Sequence, residues 1–159
     1  MVYRIFVEKR EGLSPEAGSL LGDLRGFLGI ENLEGIRILN RYDVEGVDPA
    51  VYERAKHIVF SEPQVDVVWD ETFPEPRTCH SLLAVEALPG QFDQRADSCA
   101  QCVQLMAGVE RPLVRHAKVY LLEGELSVSD SDTIKGYLIN PVESREASLD
   151  KPDTLERSY

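Results

Sequence analysis

The feature that most constrains the fold of this chain is an internal repeat. When the first half of the sequence is placed on the second with an offset of 78 positions and no gap, identical residues coincide at several points. The matching pairs are Val7 and Val85, Glu8 and Glu86, Gly12 and Gly90, Arg37 and Arg115, Tyr42 and Tyr120, Glu45-Gly46 and Glu123-Gly124, and Pro63 and Pro141. A repeat of this length predicts two similar structural units, related like the two subunits of a dimer.

Each half shows the same order of hydrophobic patterns, β-α-β-α-β. In the first half, β-branched and aromatic residues predict strands over 2–7, 36–47 and 65–69. Helices are predicted after Ser14-Pro15 and Asp48-Pro49, because Ser or Asp can cap a helix and proline fits its first turn. The corresponding elements of the second half are strands 82–88 and 114–122 and helices 92–106 and 130–138.

These patterns predict an α/β (α+β) fold with two pseudo-symmetric halves. We expect two sheets that pack together through their helices or sheet faces. The predicted boundaries are 1–70 for the first half, 71–79 for a proline-containing connector and 80–148 for the second half. Residues 149–159 are predicted to start a linker to a following domain, because they are polar and contain no apolar anchor. A covalent pseudo-dimer of this kind is expected to be monomeric.

Composition excludes several classes of partner. The chain has 159 residues, 43% of them hydrophobic, which is enough for one ordinary core, and its formal net charge is -11. This charge, without a cluster of Lys or Arg, disfavours binding to nucleic acid or to an anionic membrane surface. An early onset of charged residues argues against a signal peptide, and three cysteines argue against a disulfide framework. We therefore expect a cytoplasmic protein.

The predicted helix 92–106 has two contrasting faces. Its apolar stripe consists of Phe92, Ala96, Cys99, Val103 and Met106, and its polar row consists of Gln94, Asp97, Gln101 and Gln104. The stripe is expected to lie in the core. The polar row is either a solvated face or a surface that contacts a neighbouring domain through amide and carboxylate hydrogen bonds. Strand edges near Arg37 and Arg115 are a second candidate for such contacts.

The residues that could carry chemistry do not form a recognisable catalytic pattern. Cys99 and Cys102 form a C-x-x-C pair, but the pair begins about two turns inside the predicted helix, where the helix dipole does not activate a thiol. A zinc site would also require Cys79-His80 to reach this helix, so buried, inert thiols are the favoured interpretation. None of the three histidines, His57, His80 and His116, accompanies a nucleophile-elbow motif, and no phosphate-binding glycine loop is present. The sequence predicts no catalytic, cofactor-binding or metal-binding residues.

Three segments resemble a known family. Residues 39–46 (LNRYDVEG), 89–104 (PGQFDQRADSCAQCVQ) and 140–148 (NPVESREAS) are similar to the N-terminal region of single-chain phosphoribosylformylglycinamidine synthases, also called formylglycinamidine ribonucleotide synthetases. The resemblance extends from about Tyr3 to about Leu155, and the run GQFDQRADS is its most specific part. Cys99 departs from the family, in which alanine is expected at that position, and this argues further against a metal site.

The resemblance implies a function in purine biosynthesis. The whole enzymes of this family are ligases and glutamine amidotransferases that use ATP, magnesium and glutamine. Their front part is similar to a dimer of the small accessory subunit (PurS) of multi-subunit versions, which helps to hold the glutaminase against the synthetase so that ammonia can pass. The resemblance therefore implies a PurS-like, non-catalytic docking domain whose partners are the synthetase and glutaminase domains of the same chain, with ATP and magnesium bound elsewhere in the parent enzyme.

Two other classes of function are compatible with the residues alone. One is a stand-alone regulatory module of the βαβ type that binds a small molecule in the cleft between the two halves. The other is a zinc or redox protein that uses the C-x-x-C pair.

Overall fold

The strands form where β-branched and aromatic residues recur, and the helices form where serine or aspartate precedes a helical pattern. The structure is a computed structural model that describes residues 1–156. The elements of the first half are β1 (Val2–Lys9), α1 (Pro15–Gly26), β2 (Gly35–Glu45), α2 (Pro49–Ile58) and β3 (Asp66–Asp70). Those of the second half are β4 (His80–Ala87), α3 (Gln94–Ala107), β5 (Leu113–Glu123), α4 (Val128–Leu138) and β6 (Ser144–Ala147). The predicted α+β class is confirmed.

The strand bounds of the two halves follow the offset found in the sequence. Both ends of β1 and β4 differ by 78 positions, as do both ends of β2 and β5 and the first residues of β3 and β6. Because β2 and β5 run antiparallel, one position of β2 faces its own counterpart in β5, namely Asn40 opposite Lys118. The strand bounds and this pairing follow the offset, and the duplication itself stays a prediction.

All six strands belong to a single antiparallel sheet with the order β3-β1-β2-β5-β4-β6. The expectation of two separate sheets packed against each other is wrong in this respect. The halves join edge to edge, because β2 and β5 pair over their whole length, from Gly35 opposite Glu123 to Glu45 opposite Leu113. The main-chain groups of each strand are thereby satisfied by the other half rather than by water.

The helices lie on one face of the sheet and form two cores that the halves share. Side chains alternate across a strand, so the even positions of β2 and the odd positions of β1 point to the same face. On that face, α3 of the second half places Cys99 and Val103 against Ile5 and Tyr42 of the first half. Neither core belongs to one half alone.

The second core shows the same exchange in the other direction. Leu24 of α1 and Ile38 of β2 pack with Leu83, Tyr120 and Ile134 of the second half. Leu24 and Ile134 are fully buried. Because each core requires side chains from both halves, residues 1–70 and 80–148 form one folding unit.

Helix capping explains where the helices start. Ser14 Oγ accepts a hydrogen bond from the Ala17 amide, and Asp48 Oδ1 accepts one from the Val51 amide, so both predicted caps are confirmed. The predicted helix 92–106 starts later than expected, because Asp93 caps α3 by accepting from the Ala96 amide. Phe92 consequently precedes the helix and is 73% exposed, so its assignment to the buried stripe is wrong.

Two glycines at equivalent positions provide a test of how closely the halves approach. Gly46 and Gly124 follow β2 and β5 with φ of 92° and 124°, which disfavour any residue with a side chain. A Cβ at Gly124 would overlap with the main-chain carbonyl oxygen of Asn32, whereas at Gly46 the nearest atom is Cα of Pro112 at 3.8 Å. The backbone strain is shared, but the steric overlap occurs only at Gly124.

We expect Gly46→Ala to lower the free energy of unfolding by about 1–2 kcal/mol through backbone strain. Gly124→Ala should lower it by roughly 1–3 kcal/mol more, because the Asn32 main chain must move. Urea denaturation of both variants measures the difference, and equal losses would contradict the close approach of Asn32 to Gly124.

Candidate functional site

The sheet face opposite the helices carries the candidate functional site. Its residues are the even positions of β1 and β4 and the odd positions of β2, β3, β5 and β6. One part is apolar and includes Phe6, Leu39, Ala117 and Val119. The other part is charged, and its members are Arg4, Arg41, Asp43, Glu86, Arg115 and Arg145.

The charged part is organised in rows across the strands. Arg4 lies opposite Asp43, and Asp43 lies opposite Arg115, so one carboxylate stands between two guanidinium groups. Arg4 donates two hydrogen bonds to Asp43, from Nε to Oδ1 at 2.7 Å and from Nη2 to Oδ2 at 3.0 Å. Both residues are buried, with exposures of 3% and 5%. Such a two-pronged pair fixes the planes of both groups and offsets part of the cost of burying their charges.

The arginines of this face hold the segment that follows β6. Arg41 Nη1 donates to the Ser148 carbonyl at 2.8 Å, Arg4 Nη1 donates to the Leu149 carbonyl at 2.9 Å, and Arg115 Nη2 donates to the Leu155 carbonyl at 2.7 Å. Residues 148–155 are called the C-terminal segment below. They cross the charged part of the sheet and cover it.

The C-terminal segment differs from the predicted linker 149–159 within its described part. Leu155 is only 4% exposed and therefore anchors the segment, contrary to the expectation of no apolar anchor. Its amide also donates to both carboxylate oxygens of Glu45, at 3.3 and 3.2 Å. The polar composition of the segment concealed this, because its main chain rather than its side chains makes most of the contacts. Residues 157–159 of the predicted linker lie outside the described residues.

The sequence analysis placed Arg37 and Arg115 near strand edges, and this prediction is wrong. They belong to β2 and β5, which are the two central strands of the sheet. Arg37 donates to both carboxylate oxygens of Glu8 at 2.7 Å and to the Pro74 carbonyl at 3.0 Å, and its guanidinium lies 5.9 Å from the Trp69 ring centroid. Arg37 thus holds the connector against the sheet, and neither arginine marks an open strand edge.

The polar row of α3 is only partly exposed. Gln94 and Gln101 are exposed, whereas Asp97 and Gln104 are half-buried. The Asp97 carboxylate forms an ion pair with Arg111, which ties α3 to the loop before β5. Gln94 and Gln101 therefore remain as the members of the row that are best placed to contact another domain.

The cysteines and histidines lie in different environments. Cys99 is buried, which raises the pKa of its thiol to about 11, but Cys102 and Cys79 are exposed, so the expectation of buried thiols is wrong for these two. Burial lowers the pKa of His116 to about 3, with Arg95, Lys118 and Arg41 contributing in the same direction. Within the described part of the chain, no group of three or more His, Cys, Asp or Glu side chains is arranged to hold a metal ion.

Sequence reasoning missed Arg4, Arg41 and Asp43. A signal was available, because charged residues occupy alternate positions of the otherwise apolar strands β1 and β2. Such alternation indicates charged side chains on one sheet face. What the sequence did not reveal is that these charges are covered by the main chain of a segment more than 100 positions away.

Comparison with known proteins assigns the chain to no family. No protein-family model matches the chain, and no curated protein matches it. Among residues 1–156, no helix is both long and apolar enough to cross a lipid bilayer.

His116 predicts a pH dependence of stability. Its Nε2 lies 2.8 Å from Asn40 Oδ1, and the ring packs beside Tyr42 with a centroid distance of 5.1 Å. The unfolded chain binds a proton at His116 below a pH of about 6.5, whereas the folded chain does so only below a pH of about 3. Between these values the unfolded state binds more protons, so the free energy of unfolding must fall as the pH falls.

We expect His116→Gln to reduce the loss of stability between about pH 6.5 and about pH 4, as measured by urea denaturation at several pH values. His80→Gln is a matched control with the opposite sign. Hydrogen bonds to the Thr78 carbonyl and to Glu75 raise the pKa of His80, so protonation of His80 favours the folded state. A pH profile that His116→Gln leaves unchanged would contradict the burial of a neutral imidazole at this position.

Proposed function

We propose that the chain is the N-terminal, PurS-like docking domain of a phosphoribosylformylglycinamidine synthase. In this proposal the domain performs no chemistry itself and helps to hold the glutaminase and synthetase domains of the same chain together, while ATP and magnesium act elsewhere in the enzyme. The observation that carries it is the pairing of β2 with β5, which joins two halves with matching strand bounds into one sheet. Two similar halves that share one sheet support a covalent pseudo-dimer, although the halves join edge to edge and not as two packed sheets.

Two further features support a docking function. The exposed amides of Gln94 and Gln101 on α3 provide donors and acceptors for a neighbouring domain. The C-terminal segment is held by arginines and by buried Leu155, so a domain attached after it would start from a fixed position on the sheet. Fixed attachment lowers the entropy that a docking contact loses on forming.

The proposal is tested in the full-length protein that contains this domain. We expect Gln94→Ala combined with Gln101→Ala to lower the glutamine-dependent formation of formylglycinamidine ribonucleotide about fivefold, the effect of losing about 1 kcal/mol of interface contact. The ammonia-dependent reaction should change much less, because free ammonia does not need to pass between the two active sites.

Gln64→Ala is a matched control, because Gln64 is exposed and lies in the loop between α2 and β3, outside the proposed docking helix α3. It should leave both reactions unchanged. Equal losses of the two reactions in the α3 variant would contradict coupling through this face. Absence of both reactions in the unmodified full-length protein would contradict the assignment to this enzyme family.

A further inference from the structure

A cavity lies between the charged part of the sheet and the C-terminal segment. Its volume is about 380 Å³, which is within the range of small-molecule sites. Both halves line it, the first half with Arg4, Arg41 and Asp43 and the second with Glu86, Arg115, Arg145 and Glu146, together with Asp150 of the C-terminal segment. The cavity thus has the size and the position of a ligand site between the two halves.

Arg41 brings to this cavity a buried positive charge that has no ion-pair partner among residues 1–156. The residue is only 6% exposed, and among residues 1–156 its one hydrogen bond is the donation from Nη1 to the Ser148 carbonyl. No carboxylate in the described range forms an ion pair with it, although the chain carries a formal net charge of -11. Burial, and after it the nearby Arg4, lower the pKa of Arg41, and the carboxylates of Asp43 and Glu86 offset only part of this effect. A buried guanidinium of this kind requires an anionic partner.

The other charged side chains around the cavity form hydrogen bonds or ion pairs, or are exposed to solvent. Asp43 is bound by Arg4, and Glu86 accepts two hydrogen bonds from Arg145 at 3.1 and 2.9 Å. Glu146 forms an ion pair with Lys135 at 3.4 Å. The remaining charged residues of the lining are Arg115, which holds the Leu155 carbonyl, and Asp150, which is exposed. Asp43 and Glu86 therefore offset part of the charge of Arg41 from a distance, but each has another arginine as its ion-pair partner and neither forms an ion pair with Arg41.

The fold itself does not require charges at these positions. The offset of 78 positions places Leu82, Leu121 and Val119 at the counterparts of Arg4, Asp43 and Arg41. Leu121 is fully buried and Val119 is 1% exposed, so the same sheet positions in the second half form an apolar surface. A buried arginine cluster is often less stabilising than apolar side chains at the same positions, so its presence points to a purpose other than folding.

We propose that this cavity binds a small molecule through a carboxylate or phosphate group, with the guanidinium of Arg41 as its main contact. A guanidinium carries five N–H donors in a planar fork that matches the oxygens of either group. The Nε–H and Nη2–H groups of Arg41 make no hydrogen bond to residues 1–156 and are the donors for the ligand. The main-chain segment from Ser148 to Asp150 covers the ligand from above. This site is separate from the docking face on α3 and does not depend on the proposed enzyme family.

The competing explanation is that Arg41 serves only to hold the C-terminal segment. That explanation requires one hydrogen bond to a carbonyl and no ligand. The two explanations differ in the response of the protein to oxyanions, since a purely structural arginine does not bind them saturably.

The test is a titration of the isotope-labelled 159-residue protein, followed by amide and arginine Nε–H signals in NMR spectra. Inorganic phosphate and citrate are the two probes, each added at constant ionic strength set with chloride. We expect saturable shifts at Arg41 and at residues 145–150 with at least one probe, and the probe with the lower dissociation constant identifies the preferred group. Absence of a saturable shift at these residues with both probes would overturn the proposal.

Two variants separate a specific site from general electrostatics. Arg41→Met should raise the dissociation constant about tenfold or more, the loss expected for one charged hydrogen-bonded contact. Arg54→Met removes the same charge from an exposed position of α2 and should leave the constant unchanged. Equal affinity in the Arg41→Met protein would overturn the proposal. If that variant does not fold, the titration of the unmodified protein decides alone.

Discussion

The pairing of β2 with β5 is the interaction on which the rest of the structure depends. Without it, each half would be a three-stranded sheet with the longest strand exposed at its edge, an arrangement that invites association with other chains. With it, the edge becomes the centre of a six-stranded sheet, and the strands that remain at the edges are the short β3 and β6. The same pairing lets side chains of α1 reach the second half and side chains of α3 reach the first, so the two hydrophobic cores are consequences of the central pair.

The central pair also determines the chemistry of the face that has no helices. Its register sets Asp43 of β2 directly opposite Arg115 of β5, while the β1–β2 register sets Asp43 opposite Arg4. A shift by one residue would turn these charges to the helical face and into the cores. The charged part of the sheet, the segment that it holds and the cavity below that segment therefore depend on a register that the apolar cores fix from the other side.

Local structure was accessible from the sequence, whereas the arrangement of strands was not. Ser14 and Asp48 predicted the starts of their helices correctly, because a cap acts within one turn. The bounds of the two longest strands were predicted to within two residues. Phe92 was misplaced because Asp93, rather than a residue before it, caps α3. Arg37 and Arg115 were assigned to strand edges because strand order is set by contacts between distant residues, which no local pattern encodes. Anchoring of Leu155 was missed for the same reason, since its partners Glu45 and Arg115 lie at least 40 positions away.

The strand bounds of the two halves follow one offset, and this makes the differences between the halves informative. Arg37 and Arg115 are counterparts, and each donates to a carbonyl of the segment that follows the third strand of its own half, Pro74 in one case and Leu155 in the other. The two segments therefore cross the same sheet face in comparable ways. Leu82 and Val119 pack with Phe73 of the connector, whereas Arg4 and Arg41 hold carbonyls of the C-terminal segment and also reach the edge of the space below the connector. Apolar side chains at these sheet positions are sufficient for folding in the second half, so the arginines of the first half point to a requirement beyond folding. Arg41, which is buried and has no ion-pair partner among the described residues, is the residue for which this requirement is most specific.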